Sequence, residues 1–324
     1  MHNPRPTVIP EGMPEDAFEE YDGAETIEAI SGALAGLGVA VAPVIADSGL
    51  PHKLAQNRFD FAFNIAEGWG GRNREAAAAA VCELMGIRYT GSDPLTLAVT
   101  LDKWTARRIV SPEVPVAAAV LVRGESDFGR LRQIRYPAMV KPNDEGSSKG
   151  IRRNSVADSE SAALERVRRL RSQYGCAVLV EEFLPGPEVT VGVIGNGESR
   201  RILGLMEIAP REETGRFVYS LEMKRDFARQ VRYHVPPRLP AAVQEKIGDL
   251  ALLAYEMLGC RDVARLDFRL DAAGEPYFLE CNPLPGLNPE SGDIVILSRA
   301  RMAYEALVQE IFRHALQRTG AEWR

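Results

Sequence analysis

The chain has 324 residues, of which 45% are hydrophobic and 26% are charged, the balance of a globular protein with enough chain for two or three domains. Its net charge of −6 argues against general nucleic-acid binding, which requires a basic surface. The sequence has no apolar run of about 18 residues that could span a membrane, and its N-terminus lacks the apolar core of a secretory signal. Four scattered cysteines without a CxxC pair argue against zinc, so we expect a cytoplasmic protein.

The N-terminal part of the chain predicts a domain of alternating strands and helices. A helix at 25–37 precedes a strand at 39–45, and a nearly all-apolar strand at 59–65 precedes a helix at 75–85. Such alternation is typical of a parallel sheet, in which ligands bind beyond the carboxyl ends of the strands. The glycine-rich loop 66–72 lies at such an end. It matches neither the dinucleotide fingerprint GxGxxG nor the P-loop GxxxxGK[ST].

The central part of the chain contains a loop of small residues that follows a strand ending in lysine. A helical linker at 92–110 contains Lys103 and leads into this part, where an apolar strand at 136–141 ends in Lys141. The small-residue loop, residues 142–150, has the sequence PNDEGSSKG. Its backbone N–H groups can wrap a phosphate, although an ordinary turn has a similar composition. The apolar strand, its terminal lysine and the glycines around Ser-Ser-Lys favour the phosphate interpretation.

The next elements include an acidic strand end and a polar segment. A strand at 177–183 contains Glu181 and Glu182, and because neighbours on a strand point to opposite faces, one of them can face a cleft. A hairpin follows. The irregular, polar segment 211–232 is a candidate mobile loop, and a long amphipathic helix is predicted at 239–258.

The strongest chemical signal comes from a predicted hairpin at 263–287. Its spacing puts Asp267 opposite Glu280 and Arg265 opposite Asn282, so two carboxylates and an amide oxygen share one face. Two close carboxylates repel unless a cation lies between them, and oxygen ligands suit Mg²⁺. A polar, solvent-facing hairpin is the alternative. This face of the hairpin carries no Lys or Thr, and a loop rich in proline and glycine follows it. Both observations favour the metal site.

Five motifs in order resemble those of the ATP-grasp superfamily and, within it, the D-alanine–D-alanine ligase family. They are FNIAEGWGGR, YTGSDPLTLAVTLDK, YPAMVKPNDEGSSKGI, VLVEEFLPGPEVTV and ARLDFRLDAAGEPYFLECNPLPGL, and the resemblance covers residues 25–317. It implies an α/β fold whose ATP-binding part is α+β, with ATP between two antiparallel sheets. It also implies three domains, which we expect at 1–95, 96–180 and 181–324.

The resemblance also implies roles for individual residues, by their positions in the motifs. Lysines and the small-residue loop would contact the phosphates, the end of the acidic strand would face adenine, and Glu188 would face the ribose. The residues implied for nucleotide binding are Lys103, Lys141, Gly146, Ser147, Ser148, Glu181, Glu182, Phe183, Leu184, Glu188 and Lys224. Those implied for Mg²⁺ or Mn²⁺ are Asp267, Glu280 and Asn282. Those implied for catalysis are Arg265, the backbone N–H of Gly286, Ser147 and Lys224, and those implied for the substrate are Glu67, Arg225, Arg265 and Ser291.

In such ligases ATP phosphorylates a carboxylate, and an amine attacks the acyl-phosphate. Phosphoryl transfer needs positioning and cations, and the tetrahedral oxyanion needs donors such as Arg265, so the residues suit the chemistry. The resemblance therefore predicts an ATP- and Mg²⁺-dependent carboxylate–amine ligase for amino acids or peptides. An ATP-grasp enzyme with a non-peptide product and a catalytically silent nucleotide-binding protein remain open, but the intact set of Lys141, Asp267, Glu280 and Asn282 argues against silence. Neither nucleic acid nor membrane is expected as a partner, and a homodimer is left open.

The substrate-facing positions depart from the family pattern. The family's opening strand and its Gly-Gly-x-Ser-x-Glu loop are missing, and Glu25 is a candidate to replace that glutamate. Glu67 stands where the family often has His, and Arg225 stands where it usually has Tyr. We therefore predict a substrate with an amine near Glu67 and an extra carboxylate near Arg225, more acidic or larger than alanine. The alternative is that Arg225 pairs with a carboxylate of the chain itself.

Overall fold

The computed structural model describes residues 1–212 and 215–321, in which the strands form three sheets. The N-terminal part contains little strand. Its helices are α1 (Ala24–Ala35), α2 (Leu50–Asn57) and α3 (Ala76–Met85), and its strands β1 (Phe61–Ala62) and β2 (Arg88–Tyr89) pair in parallel. Two helices, α4 (Pro94–Leu101) and α5 (Lys103–Val110), then lead into the central part. Aspartates cap both: Asp93 accepts from the Thr96 N–H and Asp102 from the Thr105 N–H.

A four-stranded antiparallel sheet forms the central part, in the order β3-β6-β4-β5. Its elements are β3 (Ala119–Val122), a 3₁₀ helix (Glu125–Gln133), β4 (Ala138–Pro142), β5 (Val156–Ala157), α6 (Glu160–Tyr174) and β6 (Val178–Glu182). Apolar side chains from α6 pack on β4 and β6, because α6 places Ala163, Val167 and Leu170 on one face.

A five-stranded antiparallel sheet forms the remainder, in the order β11-β10-β7-β8-β9. Its strands are β7 (Glu188–Ile194), β8 (Arg201–Pro210), β9 (Val231–His234), β10 (Val263–Leu270) and β11 (Pro276–Asn282). Its helices are a 3₁₀ turn (Gly197–Ser199), α7 (Leu221–Arg225), α8 (Phe227–Gln230), α9 (Ala241–Met257), α10 (Asp293–Ser298) and α11 (Tyr304–Thr319). One apolar cluster joins the sheet to α9 and another joins it to α10 and α11, so the central strands are buried on both faces. Within the described ranges, no helix is long and apolar enough to cross a membrane.

The predicted parallel sheet of the N-terminal part is largely wrong. In the described chain, segment 39–45 has no strand and only Ile45 forms a bridge, to His2, while the strand predicted at 59–65 shrinks to two residues. The first two residues of the chain lie between these segments, because His2 exchanges backbone hydrogen bonds with Val44 and Ala46 while Met1 exchanges them with Phe63 and Ile65. Pro43 also lacks a backbone N–H, which weakens any strand there. The helical linker is two helices, and the polar segment 211–232 contains α7, α8 and β9.

The hairpin prediction is confirmed in detail. Strand β10 pairs with β11 so that Asp267 lies opposite Glu280 and Arg265 opposite Asn282. A register irregularity follows Asp267, on the side towards the turn. The two carboxylates therefore leave the hairpin on the same face.

Candidate active site

A cleft lies between the four-stranded and five-stranded sheets and encloses about 900 Å³ of empty space, counted to its open mouth. Most of the site residues that the sequence suggests line it. These are Lys103, Lys141, Ser147, Ser148, Glu181, Glu182, Phe183, Leu184, Glu188, Lys224, Arg265, Asp267 and Glu280. The suggested residues outside its lining are Glu67, Gly146, Arg225, Asn282, Gly286 and Ser291.

Arg265 is the centre of charge on the hairpin. Its guanidinium donates to Asp267 at 2.7 Å, to Glu280 at 3.3 Å and to Asp293 at the start of α10 at 2.8 Å. Burial alone would lower the pKa of Arg265, but the three carboxylates outweigh it and raise that pKa well above its ordinary value. Arg265 is therefore a permanent cation, aimed into the cleft and held on three sides.

Two lysines bring further positive charge into the cleft. Lys103 lies 3.3 Å from Glu280, and Lys141 lies 2.6 Å from Glu181. Arg107 donates to the other oxygen of Glu181, also at 2.6 Å. Burial would raise the pKa of Glu181, but Lys141 and Arg107 outweigh burial and lower it, so this carboxylate is ionised. Arg107 was missed by the sequence analysis, although it lies four residues after Lys103 and thus on the same helix face.

The far end of the cleft is organised by Arg269. It donates to Glu188 at 3.1 Å and to the Leu184 carbonyl at 2.7 Å, and its guanidinium lies 4.7 Å from the centre of the Phe183 ring. Burial nevertheless raises the pKa of Glu188 to about 7. Arg269 was also missed, but strand alternation signals it, because it shares a face of β10 with Arg265.

The small-residue loop meets the segment around α7. Lys224 donates to the Ser147 hydroxyl at 3.3 Å, and Ser148 donates to the Tyr219 carbonyl at 3.2 Å. Both serines have positive φ, 49° and 59°, which costs a residue other than glycine about 1–2 kcal/mol. Such strain persists only where the surroundings hold the backbone in place.

The loop after β11 lies next to α1. Asn282 accepts from the Leu284 N–H at 2.8 Å, and Ser291 donates to Asn288 at 3.0 Å. Asn288 in turn lies 3.4 Å from the Glu25 carboxylate. The tertiary structure thus brings Glu25, at the start of α1, to the loop that contains Ser291.

Glu67 and Arg225 lie apart from the cleft lining, in different surroundings. Burial, with Glu75 and Glu20 nearby, raises the pKa of Glu67 well above its ordinary value. Arg225, at the end of α7, has a side chain that is 40% exposed and donates to Glu19 at 2.5 Å. Arg225 therefore pairs with a carboxylate of its own chain, as the alternative interpretation expected.

Beside the small-residue loop lies a buried ionic cluster that the sequence analysis missed. Arg74 donates to Glu20 at 2.8 Å and to Glu145 at 3.2 Å, and Lys149 lies 3.1 Å from Glu20. Burial would raise the pKa of Glu20, but Arg74 and Lys149 lower it to about 2. Charged residues more than fifty positions apart meet here, so local sequence offers no signal for the cluster.

The donor set on the hairpin suits a hard cation in its chemistry. Within residues 1–212 and 215–321, no three His, Cys, Asp or Glu side chains are grouped for a metal. Asp267 and Glu280 supply two carboxylates on one face, and Asn282, opposite Arg265, supplies an amide oxygen. Two carboxylates and neutral oxygens are what Mg²⁺ accepts when substrate phosphates and water complete its shell.

Two antiparallel sheets enclosing a cation-rich cleft define the ATP-grasp class, and solved structures share this fold. A D-alanine–D-alanine ligase from Bacillus anthracis, in complex with ATP, matches with a TM-score of 0.72 at 20% identity, over 92% of this chain and 94% of that one. The VanG D-Ala:D-Ser ligase from Enterococcus faecalis matches with a TM-score of 0.65 at 22% identity, over 79% and 73%.

Sequence comparison then gives the family. The family model for the D-ala D-ala ligase C-terminus matches residues 122–313. The D-alanine–D-alanine ligase of Desulforudis audaxviator is 32% identical over 294 residues, which cover 90% of this chain and 92% of that protein. The chain therefore belongs to the D-alanine–D-alanine ligase family and is an ATP-dependent ligase with the ATP-grasp fold.

Proposed function

We propose that this ligase binds ATP in the cleft between its two antiparallel sheets and uses it to join the carboxylate of one amino acid or peptide to the amine of another. The observation that supports this most directly is that Lys103, Lys141 and Arg265 line one cleft together with Asp267 and Glu280. Lys103 pairs with Glu280, Arg265 pairs with both hairpin carboxylates, and Lys141 pairs with Glu181. Cations at this density suit a polyphosphate and the charge that develops during phosphoryl transfer. We further propose domains at 1–95, 96–180 and 181–324.

The nucleotide would lie along the cleft. Lys103, Lys141 and Lys224 would contact the phosphates, together with the small-residue loop at Gly146, Ser147 and Ser148. The strand end at Glu181, Glu182, Phe183 and Leu184 would face adenine, and Glu188 would face the ribose. Because Glu181 already accepts from Lys141 and Arg107, its main role would be to hold Lys141 in place.

The hairpin would hold the metal. Asp267, Glu280 and Asn282 would be the ligands of Mg²⁺, or of Mn²⁺ in its place. The ion, when bound, supplies positive charge that neutralises the phosphate oxygens. Arg265 pairs with both carboxylates and would remain beside them as the cation nearest to the reacting carboxylate.

The bond-forming step would use donors already aimed at the cleft. ATP transfers its terminal phosphoryl group to a substrate carboxylate, and the amine of the second substrate attacks the acyl-phosphate and displaces phosphate. Arg265 and the backbone N–H of Gly286 would stabilise the tetrahedral oxyanion, which is where fixed donors contribute most. Ser291 would bind a substrate carboxylate, and Glu25 contacts the same loop through Asn288.

The two substrates are proposed to be amino acids or short peptides, with D-alanine as the reference because relatives are named for it. Glu67 would receive an amine, and Arg225 an additional carboxylate. Since Arg225 is paired with Glu19, a substrate carboxylate would have to displace that partner.

The test is ATP-dependent phosphate release against D- and L-amino acids and dipeptides, with each product identified by mass spectrometry. We expect release that requires both a divalent cation and a pair of amino-acid substrates. Glu275→Gln, an exposed change in the turn of the same hairpin, is the matched control for changes at the metal site. Phosphate release with no substrate pair, or a phosphorylated product without an amide bond, would overturn the proposal.

A further inference from the structure

An acidic segment at residues 15–20 lies against the small-residue loop; we call it the acidic strap. Asp16 accepts from the Gly150 N–H at 3.1 Å, and Glu20 accepts from the Gly146 N–H at 2.7 Å. The strap therefore binds the backbone of the loop at both ends of the Gly-Ser-Ser-Lys-Gly sequence. No motif of the sequence analysis includes these carboxylates.

The contact is closely fitted and buried. The Asp16 side chain is fully buried and the Glu20 side chain is 4% exposed. A Cβ atom on Gly146 would lie 2.6 Å from a Glu20 oxygen, so a larger residue at this position would displace the Glu20 carboxylate. The buried charges are matched, because Arg152 lies 3.2 Å from Asp16, and Glu20 has Lys149 and Arg74.

The strap contacts the loop in a cavity that is separate from the cleft between the sheets. Ser147 and Ser148 line the cleft, whereas Glu20 and Lys149 line a separate cavity. The two serines, with their strained positive φ angles, lie between the two backbone N–H groups that the strap binds. Hydrogen bonds at both ends are what such a backbone needs in order to persist.

The strap also contacts helix α7, whose Lys224 lines the cleft. Glu19 binds Arg225 at 2.5 Å, and the preceding residue, Lys224, donates to Ser147. One short segment therefore joins the small-residue loop on one side and helix α7 on the other.

We propose that the acidic strap is a positioning element for the ligase reaction. Asp16 and Glu20 hold the small-residue loop in its strained conformation, and Glu19 holds α7 beside it. The N–H groups of Gly146 and Gly150 are committed to the strap, so the donors that this part of the loop can offer to the phosphates are those of Ser147 and Ser148. This inference rests on the proposed function, in which the loop covers the phosphates.

Amide hydrogen exchange tests the strap independently of catalysis. Glu20→Ala should raise exchange in the small-residue loop about tenfold, the effect of losing one charge-assisted hydrogen bond, while β10 and β11 stay protected. Glu20→Gln should cause a smaller rise, because its amide oxygen can still accept from Gly146, and it provides the test if Glu20→Ala does not fold. Glu11→Gln, an exposed change outside the strap, is the control. Unchanged exchange in the loop of a folded Glu20 variant would overturn the inference.

Kinetics then test its role in the reaction. In Glu20→Ala the KM for ATP should rise about tenfold with a smaller fall in kcat, because the loop is misplaced rather than its serines removed. Glu19→Gln should raise the KM for ATP by less, since it releases α7 only. If wild type releases no phosphate with any substrate pair, the proposed function fails while the exchange result still decides the strap. If the exchange changes but the KM does not, the strap is structural and the positioning role is wrong.

Discussion

The cleft between the two antiparallel sheets and the N-terminal part of the chain differ in how they are built. The cleft uses antiparallel strands, and the hairpin that carries Asp267 and Glu280 has its register set by a turn of a few residues. The N-terminal part needs parallel strands, whose partners are distant in sequence, and its sheet has two residues per strand. Local sequence is thus informative about the cleft and poor at describing the N-terminal part.

The two regions also differ in charge. In the cleft, cations and carboxylates are paired, since Lys103, Lys141 and Arg265 each have a carboxylate partner. In the N-terminal part, buried carboxylates lie close to one another. Burial and Glu20 raise the pKa of Glu75 to about 8, and burial and Glu75 raise the pKa of Glu67. Buried lysines and arginines suit phosphates and buried carboxylates suit an amine, so this contrast supports the proposal that the nucleotide and the substrate amine bind in different regions.

The largest expected effect comes from the hairpin. Glu280→Gln removes one charge from the proposed metal ligands and should lower turnover by at least about a thousandfold, since a metal contributes several kcal/mol to the transition state. Circular dichroism should show an unchanged fold. Glu275→Gln should retain wild-type turnover. Near-normal activity in Glu280→Gln would show that the assignment of the metal site to this face of the hairpin is wrong.

The buried ionic cluster predicts a pH dependence of stability. Folding lowers the pKa of Glu20 from its ordinary 4.5 to about 2, so its ionised form favours the folded state. This contribution, about 3 kcal/mol at 1.36 kcal/mol per pKa unit, is complete above pH 4.5 and is lost as the pH falls towards 2. Denaturant unfolding of wild type and Glu20→Gln at several pH values checks it. We expect the free energies of unfolding of the two proteins, plotted against pH, to converge in acid. A constant difference between them at all pH values would contradict the lowered pKa of Glu20.

Nucleotide binding should depend on Lys141. Lys141→Ala should weaken the binding of ATP by about 2 kcal/mol, roughly thirtyfold in Kd, which is the contribution of one charge-assisted contact. The variant should keep most of its stability without ligand because Arg107 still pairs with Glu181. The readout is the rise in melting temperature on adding ATP, which reports binding to the folded state. Lys246→Ala, exposed and paired with Glu275, is the control. Equal shifts in Lys141→Ala and wild type would exclude the contact.

The smallest effect is expected at Arg225. If it selects the substrate, Arg225→Tyr should lower kcat/KM for acidic or peptide substrates by a few fold to about tenfold relative to D-alanine. Competition assays with paired substrates measure this ratio directly. Glu275→Gln is the control, because the Glu275 side chain is exposed and pairs with Lys246. An unchanged substrate preference would show that Arg225 does not select the substrate and only pairs with the acidic strap.

Several features of the cleft were predictable because they are local. Alternation along β10 and β11 predicts that Asp267 and Glu280 face each other, and composition predicts that an apolar strand delivers Lys141 to a small-residue loop. The same alternation includes Arg269, which was overlooked. The motif order indicates the family, and the comparisons confirm it. The roles of the individual residues remain predictions.

The sequence by itself determined the antiparallel hairpin, the lysines of the cleft and the family, because each rests on residues a few positions apart or on short ordered motifs. Only the tertiary structure decided that Glu20 meets Arg74 and Lys149, that the acidic strap lies behind the small-residue loop, and that Arg225 pairs with Glu19. These contacts join residues from about fifty to more than two hundred positions apart. Their free energy depends on burial and on charges brought together by packing, and neither is encoded in any short stretch of the chain.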